Sequence, residues 1–193
     1  MQIFLIRHGE IQSGERRRYY GSTDLPLTAA GRNALLRQEW SPERVWCSPM
    51  RRAVQTAEIL FPATQHLLIP DLREMDFGAF EGRGWWEMQE DEAYRAWTDS
   101  SCRTRCPGGE DWASFSARVC TAFDALMKDA FAEGLSTLAV VAHGGTQMAV
   151  LERFGASDLP WHSWQTACGE GWLLQAERWP GKLHTAERCR FTR

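Results

Sequence analysis

Short apolar runs alternate along the chain with longer stretches in which apolar residues recur at helical spacing. The compact runs predict buried strands over residues 2–6, 44–47, 66–69 and 137–142. Two later segments, 171–177 and 182–189, lie next to glycine and proline, and we expect them to be edge strands. Because strands alternate with helices, the pattern predicts a three-layer α/β/α sandwich with a mostly parallel central sheet.

Local signals mark the starts of the predicted helices. Thr28 is a suitable N-cap for a helix over residues 29–39. Ser48 and Pro49 supply an N-cap and a proline at the first helical position, which predicts a helix over residues 50–60. Apolar residues at three- and four-residue steps, together with a Trp-rich segment, predict further helices over residues 85–97, 110–134 and 146–154.

Composition indicates one globular domain, residues 1–193, with a small partner. A content of 44% hydrophobic and 24% charged residues is typical of a globular protein of this length. The formal net charge of −3 gives no bias towards nucleic acid or an anionic membrane. The first residues have no basic leader and only a short apolar run, so we expect a cytoplasmic protein without a membrane span.

The six cysteines are expected to be reduced thiols, because a chain of this size can fold without disulfides. Cys102 and Cys106 are close in sequence, but no second Cys or His pair lies near them, so their spacing is a poor zinc signature. We therefore expect no metal site and no cofactor.

Two histidines follow predicted strands and are each followed by glycine. His8 comes directly after Arg7 at the end of the first strand, and His143 follows the strand at residues 137–142. A buried strand that turns on glycine delivers such side chains to the rim of the sheet, where α/β proteins bind ligands. Two imidazoles and a guanidinium at one rim predict a site for an anion, most simply a phosphoryl group.

Four segments, taken in order, resemble one family. They are residues 5–10, 47–57, 72–82 and 140–145, and they contain the patterns Arg-His-Gly-Glu, Arg-Ala-x-Gln-Thr-Ala, Leu-x-Glu and Ala-His-Gly-Gly. Together they resemble the histidine phosphatase superfamily, which includes the cofactor-dependent phosphoglycerate mutases. The resemblance implies a phosphoglycerate mutase-like fold, a lid-like segment around residues 77–110, and a small phosphorylated metabolite as substrate.

The resemblance also implies a role for each motif residue. His8 matches the nucleophile that accepts the phosphoryl group, and a main-chain carbonyl is expected to hold its other ring nitrogen. Arg7 and Arg52 match the phosphate clamp, whose guanidinium donors suit the charge of the transition state, and His143 matches the second active-site histidine. Glu74 matches the carboxylate that protonates the leaving alkoxide and then activates water.

Two of these residues have rivals nearby. Arg51 is adjacent to Arg52, and because helix neighbours are about 100° apart, only one of the two can face the pocket. The family pattern selects Arg52. Asp76 and Glu81 are alternatives to Glu74, although both are more ordinary as loop carboxylates.

The chain departs from the family pattern after the first motif. Ile11 and Gly14 stand where a threonine and an asparagine are usual, which removes one phosphate contact. Compensating donors are expected in the segment after it, from Tyr20, Gly21 or Ser22. With Gly144, these are the candidate substrate-binding residues.

The expected substrate is inferred from sequence similarities that are less specific than the four motifs. The chain is shorter than the mutases, which favours hydrolysis, and segments at residues 74–82, 107–110, 115–119 and 168–172 are similar to the α-ribazole-5′-phosphate phosphatases of cobalamin nucleotide-loop assembly. The alternatives are a broad-specificity phosphatase, a phosphoglycerate mutase-like enzyme and a catalytically silent phospho-ligand binding module. Four tryptophans occupy the lid-like segment and its end, and we expect at least one to border the pocket, where a planar base would stack: Trp85, Trp86, Trp97 and Trp112.

Overall fold

The computed structural model describes residues 1–12 and 17–193, and its central feature is one twisted sheet. Six strands form this sheet in the described part of the chain, in the order β3-β2-β4-β1-β5-β6. Their bounds are β1 (Gln2–Arg7), β2 (Arg44–Cys47), β3 (His66–Leu68), β4 (Thr137–Ala142), β5 (Glu170–Gln175) and β6 (His184–Arg190). Strands β3, β2, β4 and β1 are parallel, whereas β5 and β6 are antiparallel additions.

The register of the parallel strands brings three strand ends to the same edge. Arg7 pairs with Ala142, and Cys47 pairs with Val141. The residues that follow these ends in sequence therefore leave the sheet side by side, as is usual for ligand sites in parallel sheets.

Helices cover both faces of the sheet, which confirms the three-layer architecture. Their bounds are α1 (Ala29–Ala34), α2 (Arg51–Leu60), α3 (Glu92–Asp99), α4 (Trp112–Ala132) and α5 (Gly144–Phe154). Helix α2 and the residues that flank α1, Leu27 and Leu35, enclose one apolar cluster, to which β4 contributes Val141. Helices α4 and α5 enclose the other, to which β4 contributes Val140. This alternation along one strand is the expected two-residue period of a sheet buried on both faces.

Two further observations complete the outline of the fold. None of the helices in the described ranges is long and apolar enough to cross a bilayer. All six cysteines are free thiols.

The first helix is shorter than its sequence pattern predicts. Thr28 caps it as expected, since its hydroxyl accepts the Gly31 N–H at 2.8 Å. The helix ends at Ala34 and not near residue 39, because Leu35 bridges to Thr192 and the Leu36 N–H donates to Phe191 O at 2.9 Å. Tertiary pairing with the C-terminal segment therefore replaces the last helical turn.

The predicted cap of α2 is wrong. The helix begins at Arg51, and Ser48 lies outside it. The Arg51 N–H donates to the Asp24 carboxylate at 2.7 Å, so an acidic side chain from a distant loop occupies the helix N-terminus. Ser48 is thereby free to hydrogen-bond elsewhere, as described below.

Two other elements also differ from expectation. Strand β5 lies between β1 and β6, so only β6 is an edge strand on that side. The Trp-rich segment forms a 3₁₀ turn at Trp85–Glu87 and then a separate helix, α3, because the Asp91 carboxylate caps a new start through the Ala93 N–H at 3.1 Å.

Candidate active site

The two His-Gly turns meet at the shared edge of the sheet. His8 follows β1 and His143 follows β4, and their ring centroids lie 5.2 Å apart with the rings inclined at 63°. Ser48, which follows β2, lies beside them. The structure thus brings together the two histidines that the sequence predicted to share one site.

The hydrogen bonds of His8 define its tautomer. Its Nδ1 lies 2.7 Å from Gly9 O, and since a carbonyl only accepts, the proton is on Nδ1 and the lone pair is on Nε2. Burial lowers the pKa of His8 well below its usual range, and the nearby Arg52 and Arg7 charges add to the effect. The imidazole is therefore neutral near pH 7, with a free lone pair that can attack phosphorus.

Thr56 fixes the turn that carries His8. Its hydroxyl accepts the Gly9 N–H at 3.0 Å and donates to Arg52 O at 2.7 Å. The first of these buried hydrogen bonds ties the β1 turn to helix α2, and the second, within α2, orients the hydroxyl to accept it. Sequence reasoning gave this threonine no role, although it belongs to the Arg-Ala-x-Gln-Thr-Ala pattern.

Arg7 lines the pocket and has an unused donor. One terminal nitrogen donates to Thr166 O at 2.6 Å, and Gln147 holds Thr166 in place by accepting its N–H at 3.0 Å. The Arg7 Nε is buried and has no hydrogen-bond partner among the described residues. Because a buried guanidinium N–H without an acceptor is costly, this group suits a bound oxyanion.

Arg52 is fully buried beneath the pocket. Its Nε–H donates to His143 Nδ1 at 3.3 Å, and its terminal nitrogens donate to Thr23 O at 2.9 Å and to Gly21 O at 2.7 Å. Its neighbour Arg51 has an exposed side chain, as expected if only one of the pair faces the site. Three of the five guanidinium N–H groups thus donate to protein acceptors, and these bonds fix the orientation of the other two.

Both ring nitrogens of His143 have protein partners. Since Arg52 donates to Nδ1, the proton is on Nε2, which donates to Ser48 Oγ at 2.8 Å. Burial lowers the pKa of His143 well below its usual range, with Arg52 adding to the effect. His143 is therefore neutral and reaches the site through Arg52, and neither residue is among those that line the pocket.

Glu74 lines the same pocket as His8 and projects from an irregular segment. Its carboxylate accepts the N–H groups of Met75 at 3.0 Å and Gly145 at 3.1 Å. Burial raises the pKa of Glu74, against the opposing effect of these N–H groups and of Arg52. A carboxyl group with such a pKa can exchange a proton with a ligand in the pocket.

The rival carboxylates organise the loop that faces Arg52. Glu81 accepts the Gly21 N–H and the Ser22 N–H, each at 2.9 Å. Asp76 accepts the Ser22 hydroxyl at 2.9 Å and the Gly78 N–H at 2.9 Å. Their hydrogen bonds are structural, and the structure thereby favours Glu74 over both as the carboxylate of the site.

A pocket of about 650 Å³ opens above Arg7, His8 and Glu74. Of the candidate substrate-binding residues, Tyr20 lines it, but the polar groups of Gly21 and Ser22 are occupied as described and neither lines it. Gly144 packs against Gln165 instead, and its neighbour Gly145 reaches the pocket. The departure at Gly14 lies outside the described residues.

Aromatic rings form much of the outer wall. The expectation that at least one tryptophan borders the pocket is confirmed, because Trp85, Trp97 and Trp112 all line it. Trp86 packs instead against the Arg18 guanidinium, 5.5 Å from its ring centroid. Sequence reasoning missed Trp161, whose ring lies 4.6 Å from that of Trp112 between centroids.

Comparison with known proteins identifies the family. The histidine phosphatase superfamily (branch 1) matches residues 3–179. A chain of Hydrogenobacter thermophilus, provisionally named phosphoserine phosphatase 2, is 30% identical over 159 residues, which cover 78% of this chain and 76% of that one. The adenosylcobalamin/alpha-ribazole phosphatase of Escherichia coli (strain K12) is 33% identical over 173 residues, which cover 84% of each chain.

A solved structure shows the same fold. Phosphoglycerate mutase from Thermus thermophilus superposes with a TM-score of 0.68 at 32% identity, over 98% of both chains. The chain therefore belongs to the histidine phosphatase superfamily and has its phosphoglycerate mutase-like α/β fold. It is a phosphatase, and the names of its relatives differ in the alcohol that is released.

Proposed function

We propose that this phosphatase hydrolyses the monoester of a nucleoside-like alcohol through a phosphohistidine at His8, with α-ribazole 5′-phosphate as its substrate. The observation that carries the proposal is the pocket above His8, which has cationic and acidic groups at its base and tryptophans along its outer wall. Such a substrate would assign the enzyme to cobalamin nucleotide-loop assembly.

In the first half-reaction, His8 Nε2 attacks phosphorus and the bond to the ester oxygen breaks. The unpaired Arg7 Nε–H donates to a phosphoryl oxygen, where charge accumulates in the transition state. Glu74 transfers its proton to the departing alkoxide, so that the alcohol leaves neutral. Arg52, which is buried and does not line the pocket, contributes its positive charge.

In the second half-reaction, Glu74 acts as a base. Its carboxylate takes a proton from water, and the oxygen of that water attacks the phosphohistidine. The bond between nitrogen and phosphorus breaks, inorganic phosphate forms, and His8 regains its neutral lone pair. The Gly9 carbonyl keeps Nδ1 protonated throughout, which directs both steps to Nε2.

Substrate choice depends on the outer pocket. Trp85, which is exposed, and Trp161, which is half-buried, line the pocket and present rings on which a planar base would stack. Two arginines near them are already paired, since Arg18 bonds to Glu87 and Arg103 bonds to Glu152, so their charges are compensated. These features support a leaving alcohol that carries an aromatic base.

One observation favours a second candidate. Arg17 lines the same pocket and contacts Cys168 Sγ at 4.0 Å, a weak partner for a guanidinium. A carboxylate-bearing ester, such as phosphoserine or phosphoglycerate, would give this cation a stronger one.

A kinetic comparison of phosphate esters tests the proposal. We expect kcat/KM for α-ribazole 5′-phosphate to exceed that for phosphoserine and 3-phosphoglycerate, and the ratio to fall in Trp85→Ala, which removes an exposed pocket ring. A preference for phosphoserine that disappears in Arg17→Ala would establish the second candidate instead. Product formation stimulated by 2,3-bisphosphoglycerate would indicate a mutase.

The intermediate is tested separately. Phosphate-labelled substrate should leave acid-labile label on the wild type and none on His8→Ala. Turnover by His8→Ala would refute the phosphohistidine mechanism whatever the substrate.

A further inference from the structure

Arg118, on helix α4, bonds to the main chain just before Glu74 and to the Glu110 side chain. Its Nε and one terminal nitrogen donate to the Glu110 carboxylate at 3.1 and 2.8 Å. The other terminal nitrogen donates to Asp71 O at 2.9 Å and to Arg73 O at 3.1 Å. One guanidinium therefore binds the main chain just before Glu74 and a carboxylate from the segment preceding α4.

Glu110 continues the contact on the other side of Glu74. Its Oε2 accepts the Asp76 N–H at 3.0 Å, and its own N–H donates to Asp76 O at 2.9 Å. The pair of Arg118 and Glu110, here called the clasp, thus holds main-chain groups at positions 71, 73 and 76. These positions flank Glu74 in an otherwise irregular segment.

The clasp has the properties of a built support. Both side chains are largely shielded, with 19% of Arg118 and 25% of Glu110 exposed, and the fork-to-carboxylate geometry is bidentate. The Arg118 guanidinium also lies over the Phe115 ring, 5.2 Å from its centroid. Residues 107–110 and 115–119 belong to the segments that resemble the α-ribazole-5′-phosphate phosphatases, but the proposed mechanism gives neither segment a role.

We propose that the clasp is a positioning device for the acid–base carboxylate, in which Arg118 and Glu110 fix the main chain on both sides of Glu74. The inference rests on the proposed role of Glu74 as proton donor. A carboxyl group that must meet the ester oxygen at hydrogen-bond distance tolerates little displacement, and its two direct N–H partners do not fix the segment behind it.

Leaving-group dependence separates positioning from general structural support. An alkyl phosphate such as glycerol phosphate needs a proton on its leaving oxygen, whereas p-nitrophenolate leaves without one. We expect Arg118→Ala to lower kcat/KM for glycerol phosphate by about 10- to 100-fold. The value for p-nitrophenyl phosphate should fall by less than about threefold, because attack by His8 is unaffected.

Matched variants make the test decisive. Arg44→Ala removes a similar bidentate pair, in which Arg44 donates to Glu133 at 2.9 and 2.6 Å. This pair does not contact the Glu74 segment, so the variant should leave kcat/KM unchanged for both esters. Arg118→Lys keeps the charge but cannot form all of these bonds, so it should reproduce the selective loss and can be measured if Arg118→Ala does not fold. Equal losses on both esters in Arg118→Lys, or a selective loss in Arg44→Ala, would overturn the clasp.

Glu74→Gln supplies the reference. A selective loss in Glu74→Gln without one in the Arg118 variants overturns the clasp alone. No selective loss in Glu74→Gln overturns the proposed acid role, and the clasp proposal falls with it. A selective loss in both, with Arg44→Ala unchanged, supports the assignment.

Discussion

Gly145→Ala tests whether the position of Glu74 limits the reaction. Gly145 is the second residue of α5, and its N–H donates to the Glu74 carboxylate at 3.1 Å. An added Cβ would lie 3.1 Å from Glu74 Cδ, with Oε1 closer still, and 3.0 Å from Phe115 Cζ. The backbone at this position is ordinary helix, so alanine introduces no strain of its own and even favours the helix.

The size of the displacement sets the expected effect. Carbon atoms in van der Waals contact are about 3.5–4.0 Å apart, so the carboxyl group must retreat by about 0.5–1 Å. A misplacement of that order costs about 100-fold in rate, which corresponds to about 2.7 kcal/mol of transition-state stabilisation. The free energy of unfolding should fall modestly, because the buried Phe115 ring must also shift by a few tenths of an ångström.

Steady-state kinetics with an alkyl phosphate, together with urea unfolding, measure the two effects. In a Glu74→Gln background the same glycine substitution should cost almost nothing further, since both changes act on one group. Activity of Gly145→Ala within about threefold of wild type would refute this reasoning. Additive losses in the double variant would show that the alanine acts elsewhere.

The remaining predictions concern the basic groups of the site and their support. Because burial lowers the pKa of His8, the acid limb of the kcat/KM profile should lie below pH 6.5, and a limb at or above 6.5 would contradict the shielded imidazole. Because folding lowers the pKa values of His8 and His143, the unfolded chain binds more protons than the folded chain as the pH falls below 6.5. The contribution of these histidines to the free energy of unfolding, measured by urea titration, should therefore be complete above pH 6.5 and decrease below it. Arg52→Lys should reduce kcat by about 100- to 1,000-fold, because a compact ammonium cannot span the three separate acceptors that the planar guanidinium reaches, and unchanged kcat would exclude its place in the clamp. Ser48→Ala should destabilise the protein by about 1–3 kcal/mol, since it leaves the His143 Nε2–H unsatisfied, and calorimetry would show no loss if another acceptor replaced the hydroxyl.

The sheet and the juxtaposition of His8 with His143 were predictable because they depend on local apolar runs. A buried strand followed by glycine is a short-range signal, and parallel pairing then aligns the strand ends. Helix ends were less predictable. Ser48 has the chemistry of an N-cap, but Asp24, from a loop 27 residues away, takes the helix N-terminus. Such competition between a local and a distant acceptor is invisible to the sequence pattern.

The supporting residues of the site were not predictable for a related reason. Thr166 and Ser48 act through single hydrogen bonds to Arg7 and His143, and their partners lie 159 and 95 positions away. No periodicity or composition connects such pairs. Trp161 reaches the pocket from a 3₁₀ turn that gives no periodic signal, so its contact with Trp112 also had to be observed.

The two histidine turns are alike in sequence, but their imidazoles have different roles. Each imidazole is buried and neutral, so burial and charge alone do not distinguish them. Hydrogen bonding does distinguish them. His8 donates from Nδ1 to Gly9 O in its own turn and keeps a lone pair on Nε2. His143 accepts from Arg52 at Nδ1 and donates from Nε2 to Ser48. A nitrogen that already accepts from a guanidinium cannot also attack phosphorus. The same arrangement that makes His8 available as a nucleophile therefore assigns His143 to the orientation of Arg52.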